Sequence, residues 1–155
     1  MQRSRAEKAA LQQALLIRAE PGVTAASAVS RNRETILENT MNYDLCLHID
    51  SNDPAMLRLV LKNAANYIKG LPGEKFQLAV VANGPAVILF TDEHADLREL
   101  AAPLLAQGVR VMLCANALAD NEIDHARLWR GCTVVPAGLV EVVRLQREGF
   151  AYIKP

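Results

Sequence analysis

A chain of 155 residues and 16.9 kDa, 51% of it hydrophobic, is the size of one domain with enough apolar material for a real core. Seventeen basic and seventeen acidic residues cancel to a formal net charge of zero, so the sequence carries no electrostatic footprint for nucleic acid or an anionic membrane. No apolar run approaches the ~20 residues that span a bilayer, and Gln12 and Gln13 interrupt the N-terminal "LQQALLI" where a signal peptide would be continuous, so a cytoplasmic location is expected.

The first segment with a clear period is "AEKAALQQALLIRA", residues 6–19, which reads as a helix ended by Pro21-Gly22. Small and polar residues follow, with a short helix indicated around 33–37. Residues 1–40 therefore form an N-terminal extension, partly helical or disordered, and 41–155 form the α/β domain. Met41 stands directly before the first strong strand, so a natural start at that residue is one reading of the extension.

"YDLCLHID" then alternates, with Tyr43, Leu45, Leu47 and Ile49 on one face and Asp44, Cys46, His48 and Asp50 on the other, the period of a strand. A helix follows: Asp53 is the N-cap, Pro54 takes the first position, Leu57, Leu61, Ala64 and Ile68 make a stripe, and Gly70 and Pro72 close it. "FQLAVVANG" is apolar throughout and reads as a strand buried on both faces. Residues 94–108, "HADLRELAAPLLAQG", read as a helix that Pro103 should kink or restart. "VRVMLC" is the third strand, and "ANALADNEIDHARLWRG" is helical in at least one piece, with Asp124 as a second N-cap. "CTVVPAG" makes a short buried strand, "LVEVVRLQREG" a helix with Leu139, Val142, Val143 and Leu145 on its apolar side, and "FAYIK" a last strand. Strands alternating with helices specify a parallel sheet covered on both faces.

Such a sheet gathers its ligands at the carboxyl ends of its strands, which fall at Asp50–Asp53, Asn83–Pro85, Cys114–Asn116 and Pro136–Gly138. Cys114 is the one nucleophile among them. A helix starting at Ala115 or Asn116 would offer it unpaired N–H groups and a positive dipole end, which favour a thiolate or a persulfide anion. The other reading is a buried, inert cysteine. Cys46 and Cys132 lie within strands and read as core. The three cysteines are too far apart for a disulfide framework, and there is no C-x-x-C pair, so neither a metal nor any other cofactor is expected. His48 shares a strand face with Cys46 and Asp50 and could reach the crevice. Asn63 and Asn66 lie one turn apart on the first helix and could brace the Cys114 turn. "ANGPA", with Asn83 and Gly84, has one glycine and a proline that removes a donor, so it is a poor phosphate cradle.

The series "NGPA", "GVRVMLCAN" and "GCTVVPAGLVEVVRLQREGFAYIKP" resembles the DsrE/DsrF-like family of small sulfur-metabolism proteins. The resemblance runs from Tyr43 to Pro155 and is most specific in the closing segment. The His-x-Asp end of the first strand and "LKNAANYI" are also similar to members. It implies a three-layer α/β/α fold with a mainly parallel five-stranded sheet, and assembly into a trimer or hexamer. It also implies a cysteine that carries sulfur as a persulfide, here Cys114; the supporting candidates, read from the residues themselves, are Asn116, Asn83, Gly84, Asn63 and His48. Donor and acceptor proteins or small persulfides would be the partners. Ala117 stands where members often have Thr or Ser, and Asn83 where many have His. The expected function is a sulfur carrier or sulfurtransferase-like protein, its alternative a non-catalytic oligomeric binding or regulatory protein.

Overall fold

The computed structural model describes residues 42–155; the helices expected over 6–19 and 33–37, and the extension as a whole, lie outside the described residues. Five strands form one sheet: β1 (Leu45–Ile49), β2 (Leu78–Ala82), β3 (Arg110–Cys114), β4 (Cys132–Val135) and β5 (Ala151–Ile153). Their order is β4-β3-β2-β1-β5, and every pairing is parallel. Four α-helices connect or follow them: α1 (Pro54–Gly70), α2 (Ala95–Ala106), α3 (Ala115–Asp120) and α4 (Gly138–Arg147).

Strand order decides which face each helix covers. Connections from β1 through β4 all step in one direction along the sheet, so their right-handed crossovers put α1, α2 and α3 on one face. The return from β4 to β5 steps the other way. Its helix, α4, therefore lies on the opposite face. The side chains divide accordingly: Leu45, Leu47 and Ile49 of β1 join Leu57, Val60 and Leu61 of α1 in the larger core, whereas Cys46 packs with Val81, Met112, Val142, Leu145 and Phe150 beneath α4. β2 is buried along its whole length, as a central parallel strand must be.

The starts and stops follow local chemistry. The Asp53 side chain accepts a hydrogen bond from the Ala55 N–H at 2.8 Å, with Pro54 in the first turn where its missing donor is harmless. Asp124 accepts from the Ala126 N–H at 2.9 Å, but what it caps is a 3-10 turn over His125–Arg127. Pro103 does not restart α2, which runs unbroken through it from Ala95 to Ala106. After β2 the chain forms a 3-10 helix, Gly84–Phe90, that buries Ala86, Val87, Leu89 and Phe90. The Phe90 ring packs against Trp129, whose indole N–H donates to the Thr91 carbonyl at 2.7 Å.

Two expectations change at the sheet's edges. β4 is an edge strand with only Val135 fully buried, and Cys132 is half-buried. α4 buries Val142 and Leu145 but turns Leu139 and Val143 outward together with Val140, which is 70% exposed.

Candidate functional site

Cys114 closes β3 and occupies the N-cap position of α3, with extended backbone at φ −69° and ψ 119°. Adjacent β3 and β4 send their outgoing chains to opposite faces, β3 into α3 and β4 into α4, so the crevice of this sheet opens between them at their carboxyl ends. Cys114 lies there. It lines a cavity of about 300 Å³ with Asn83, Gly84 and Asn116, while Ala137, Gly138 and Leu139 approach from the start of α4.

The packing at this point is tight. A β-carbon placed on Gly138 would lie 3.0 Å from the Asn83 Cβ and 3.2 Å from the Cys114 Cβ. Gly138 thus lets the first turn of α4 press against both side chains at once. α3 is only six residues long, so its dipole is weak; the ten-residue α4 brings a second, stronger helix start to the same place. Ala137, the N-cap of α4, has no polar side chain to satisfy the first N–H groups of that helix, and Ala137 and Gly138 line the cavity that Cys114 lines. Gly84 has φ +52°, a left-handed conformation that glycine adopts without strain, and so turns the chain away beneath the cavity.

The sequence-derived residues divide into two groups. Cys114, Asn116, Asn83 and Gly84 meet in the cavity, and Ala117 joins them. Asn63 and His48 do not line it. Asn63 is half-buried midway along α1, and Asn66 is exposed. His48 is 4% exposed within β1, and its Nδ1 lies 2.8 Å from the Tyr152 hydroxyl on β5. Its Nε2 is buried and has no partner among the described residues. Asp120, at the end of α3, also lines the cavity without any signal in the sequence, as does Leu139, which the sequence reads only as part of a helix's apolar side. An acid at a helix end reads as solvated surface until the strand order is known.

The thiols of Cys46 and Cys132 are both raised in pKa. The Cys46 thiol is pushed up to about 11, mainly by burial, and Cys132 to about 12 by burial alone, so both are held as thiols at neutral pH. Neither lines the cavity.

Burial also lowers the His48 pKa from 6.5, opposed by the Asp50 carboxylate and helped by Lys154. An unfolded histidine then binds a proton more readily than the folded one, and stability must fall as pH drops below 6.5. The melting temperature should be lower at pH 5.5 than at 7.5, and His48→Gln should flatten that difference. An equal pH dependence in the variant would assign the effect to other groups.

No curated protein matches the sequence. Among solved structures, a protein of unknown function, MTH1491 from Methanobacterium thermoautotrophicum, is 32% identical with a TM-score of 0.68 over 74% of this chain and all of that one. The ychN protein from E. coli is 16% identical, with a TM-score of 0.58 over 74% of this chain and all of its own, and shows the same fold. The DsrE/DsrF-like family model matches residues 43–155, all five strands and four helices described above. From Tyr43 to Pro155 the chain belongs to the DsrE/DsrF-like family, a family generally linked to sulfur metabolism.

Proposed function

We propose that this protein carries sulfane sulfur as a persulfide on Cys114. One observation supports it above the others: Cys114 is the single cysteine among the described residues that opens into the crevice between β3 and β4. In the transfer, the Cys114 thiolate attacks the outer sulfur of a donor persulfide. The donor S–S bond breaks, the donor leaves as a thiol, and Cys114 keeps the outer sulfur as –S–S⁻. Free N–H groups at the start of α4 suit that anion. An acceptor thiolate then takes the outer sulfur and restores Cys114. The chemistry requires reduced thiols, as the cytoplasm provides. Incubation with a persulfide donor should add one sulfur, about 32 Da in the intact mass, removable by dithiothreitol.

The 7% exposure of Cys114 favours a second reading, an inert cysteine in a binding or regulatory protein. Failure of folded protein to react with iodoacetamide at Cys114 would select it.

A homo-oligomer, trimer or hexamer, belongs to the same proposal. Leu139, Val140 and Val143 line an outward groove on α4 with Arg144 and Arg147, and Tyr152 and Ile153 of β5 are exposed as well. A second copy of the chain would bury them. Val140→Glu should shift sedimentation toward monomer, and an unchanged sedimentation coefficient would remove α4 from the contact.

A further inference from the structure

Resting on the carrier reading, we infer that the Cys114 cavity selects neutral or positively charged sulfane-sulfur donors and disfavours sulfur oxyanions such as thiosulfate, through the carboxylate of Asp120. The charge of the lining carries the inference. Among the described residues no Lys or Arg lines the cavity, and Asp120 is its one charged group. Sites that take dianionic oxyanions place guanidinium or ammonium groups on them. The basic side chains of α4 and beyond β5 lie off the cavity: Arg144 pairs with Glu141 and Glu148, Lys154 with Asp50 at 2.5 Å, and Arg147, at the far end of α4, does not line it.

The half-charge at the start of α4 matches a single anion, the persulfide left on Cys114. Thiosulfate would bring two more negative charges into a cavity whose one charged lining group is already a carboxylate. Asp120 also stands at the last position of α3, where a carboxylate opposes the helix dipole. It does not serve the helix, and its exposed side chain faces the site that α3 helps to build.

Both donor reactions balance. With thiosulfate, the Cys114 thiolate would take the sulfane sulfur and release sulfite, which keeps both oxyanion charges. With a persulfide R–S–SH, the thiolate takes the outer sulfur, the S–S bond breaks, and the proton of the outer sulfur goes to the departing R–S⁻. Only the second leaves without building negative charge in the cavity.

The test is the rate of sulfur addition to Cys114, followed by intact mass, with thiosulfate and with 2-aminoethyl hydropersulfide, whose ammonium group is positive. Wild type, Asp120→Asn and Asp120→Lys are compared in the full chain. Asp120→Lys should raise the thiosulfate rate about tenfold and lower the ammonium-donor rate by a similar factor, because the sign of the one charge lining the cavity reverses. Asp120→Asn should fall between, and about 0.5 M salt should narrow every difference. Rates that ignore the substitutions, or that move together for both donors, would overturn the selectivity while leaving the carrier reading intact. No addition from either donor to folded wild type would end the carrier reading and the selectivity with it.

Discussion

Cys114→Ser should abolish sulfur loading and leave the protein folded, whereas Cys46→Ser and Cys132→Ser should still load. Serine occupies nearly the volume of cysteine, and at the end of β3 its hydroxyl would face a cavity rather than a sealed core. It cannot replace the thiolate, because its proton is held too firmly for exchange at neutral pH. Cys46 differs in kind. It is wholly buried against Val81, Met112 and Leu145, where a hydroxyl without a partner costs about 1–3 kcal/mol. Half-buried Cys132, on an edge strand, should lose less. Intact mass before and after a persulfide donor, with a thermal melt of each variant, separates these outcomes. Loading that persists in Cys114→Ser would move the sulfur to another residue and withdraw the carrier assignment.

The elements that the sequence makes legible are those with strong periods and caps. Leu45, Leu47 and Ile49 point to one core and Cys46 to the other, as alternation requires, and Asp53-Pro54 opens α1 where its capping chemistry says it should. The run "GPAVILF" was not legible beyond its turn. Five consecutive apolar residues suit a short strand as well as a helical turn, and the 3-10 form buries Ala86, Val87, Leu89 and Phe90 together. α4 shows the converse. Its apolar residues exceed what one helix can bury against the sheet, so its outward residues become legible only as surface. The cavity was half legible. Cys114 ends β3 and Asn83 directly follows β2, which local patterning reveals, but the meeting of β3 with the start of α4 depends on the order β4-β3-β2-β1-β5. That order rests on contacts distant in sequence. His48 illustrates the limit of strand parity: it shares the face of Cys46, yet its partner is Tyr152 on β5, at the opposite side of β1 from the crevice.

Gly138→Ala should damage the site more than its single methyl suggests. Gly138 has no left-handed backbone, so alanine can adopt its conformation, and at this first helical position propensity favours alanine by less than the ~1 kcal/mol of a helix interior. Packing opposes that gain. The new methyl would lie 3.0 Å from the Cβ of Asn83 and 3.2 Å from the Cβ of Cys114, both well inside ordinary contact. A β-carbon is fixed to the backbone, so no change of rotamer relieves either contact, and the start of α4 or the ends of β2 and β3 must move. Overpacking of this kind costs about 1–3 kcal/mol, which exceeds the propensity gain. The melting temperature should therefore fall by several degrees. Sulfur loading should fall more, at least about tenfold, because the N–H groups beside the persulfide are displaced from the anion they would stabilise. The double variant Asn83→Gly with Gly138→Ala removes the shorter contact and should recover much of the stability. Recovery of loading with it would show that the position of α4, rather than the Asn83 amide, supports Cys114. A Gly138→Ala protein that melts higher than wild type and loads at the same rate would mean that the first turn of α4 does not press on the cysteine.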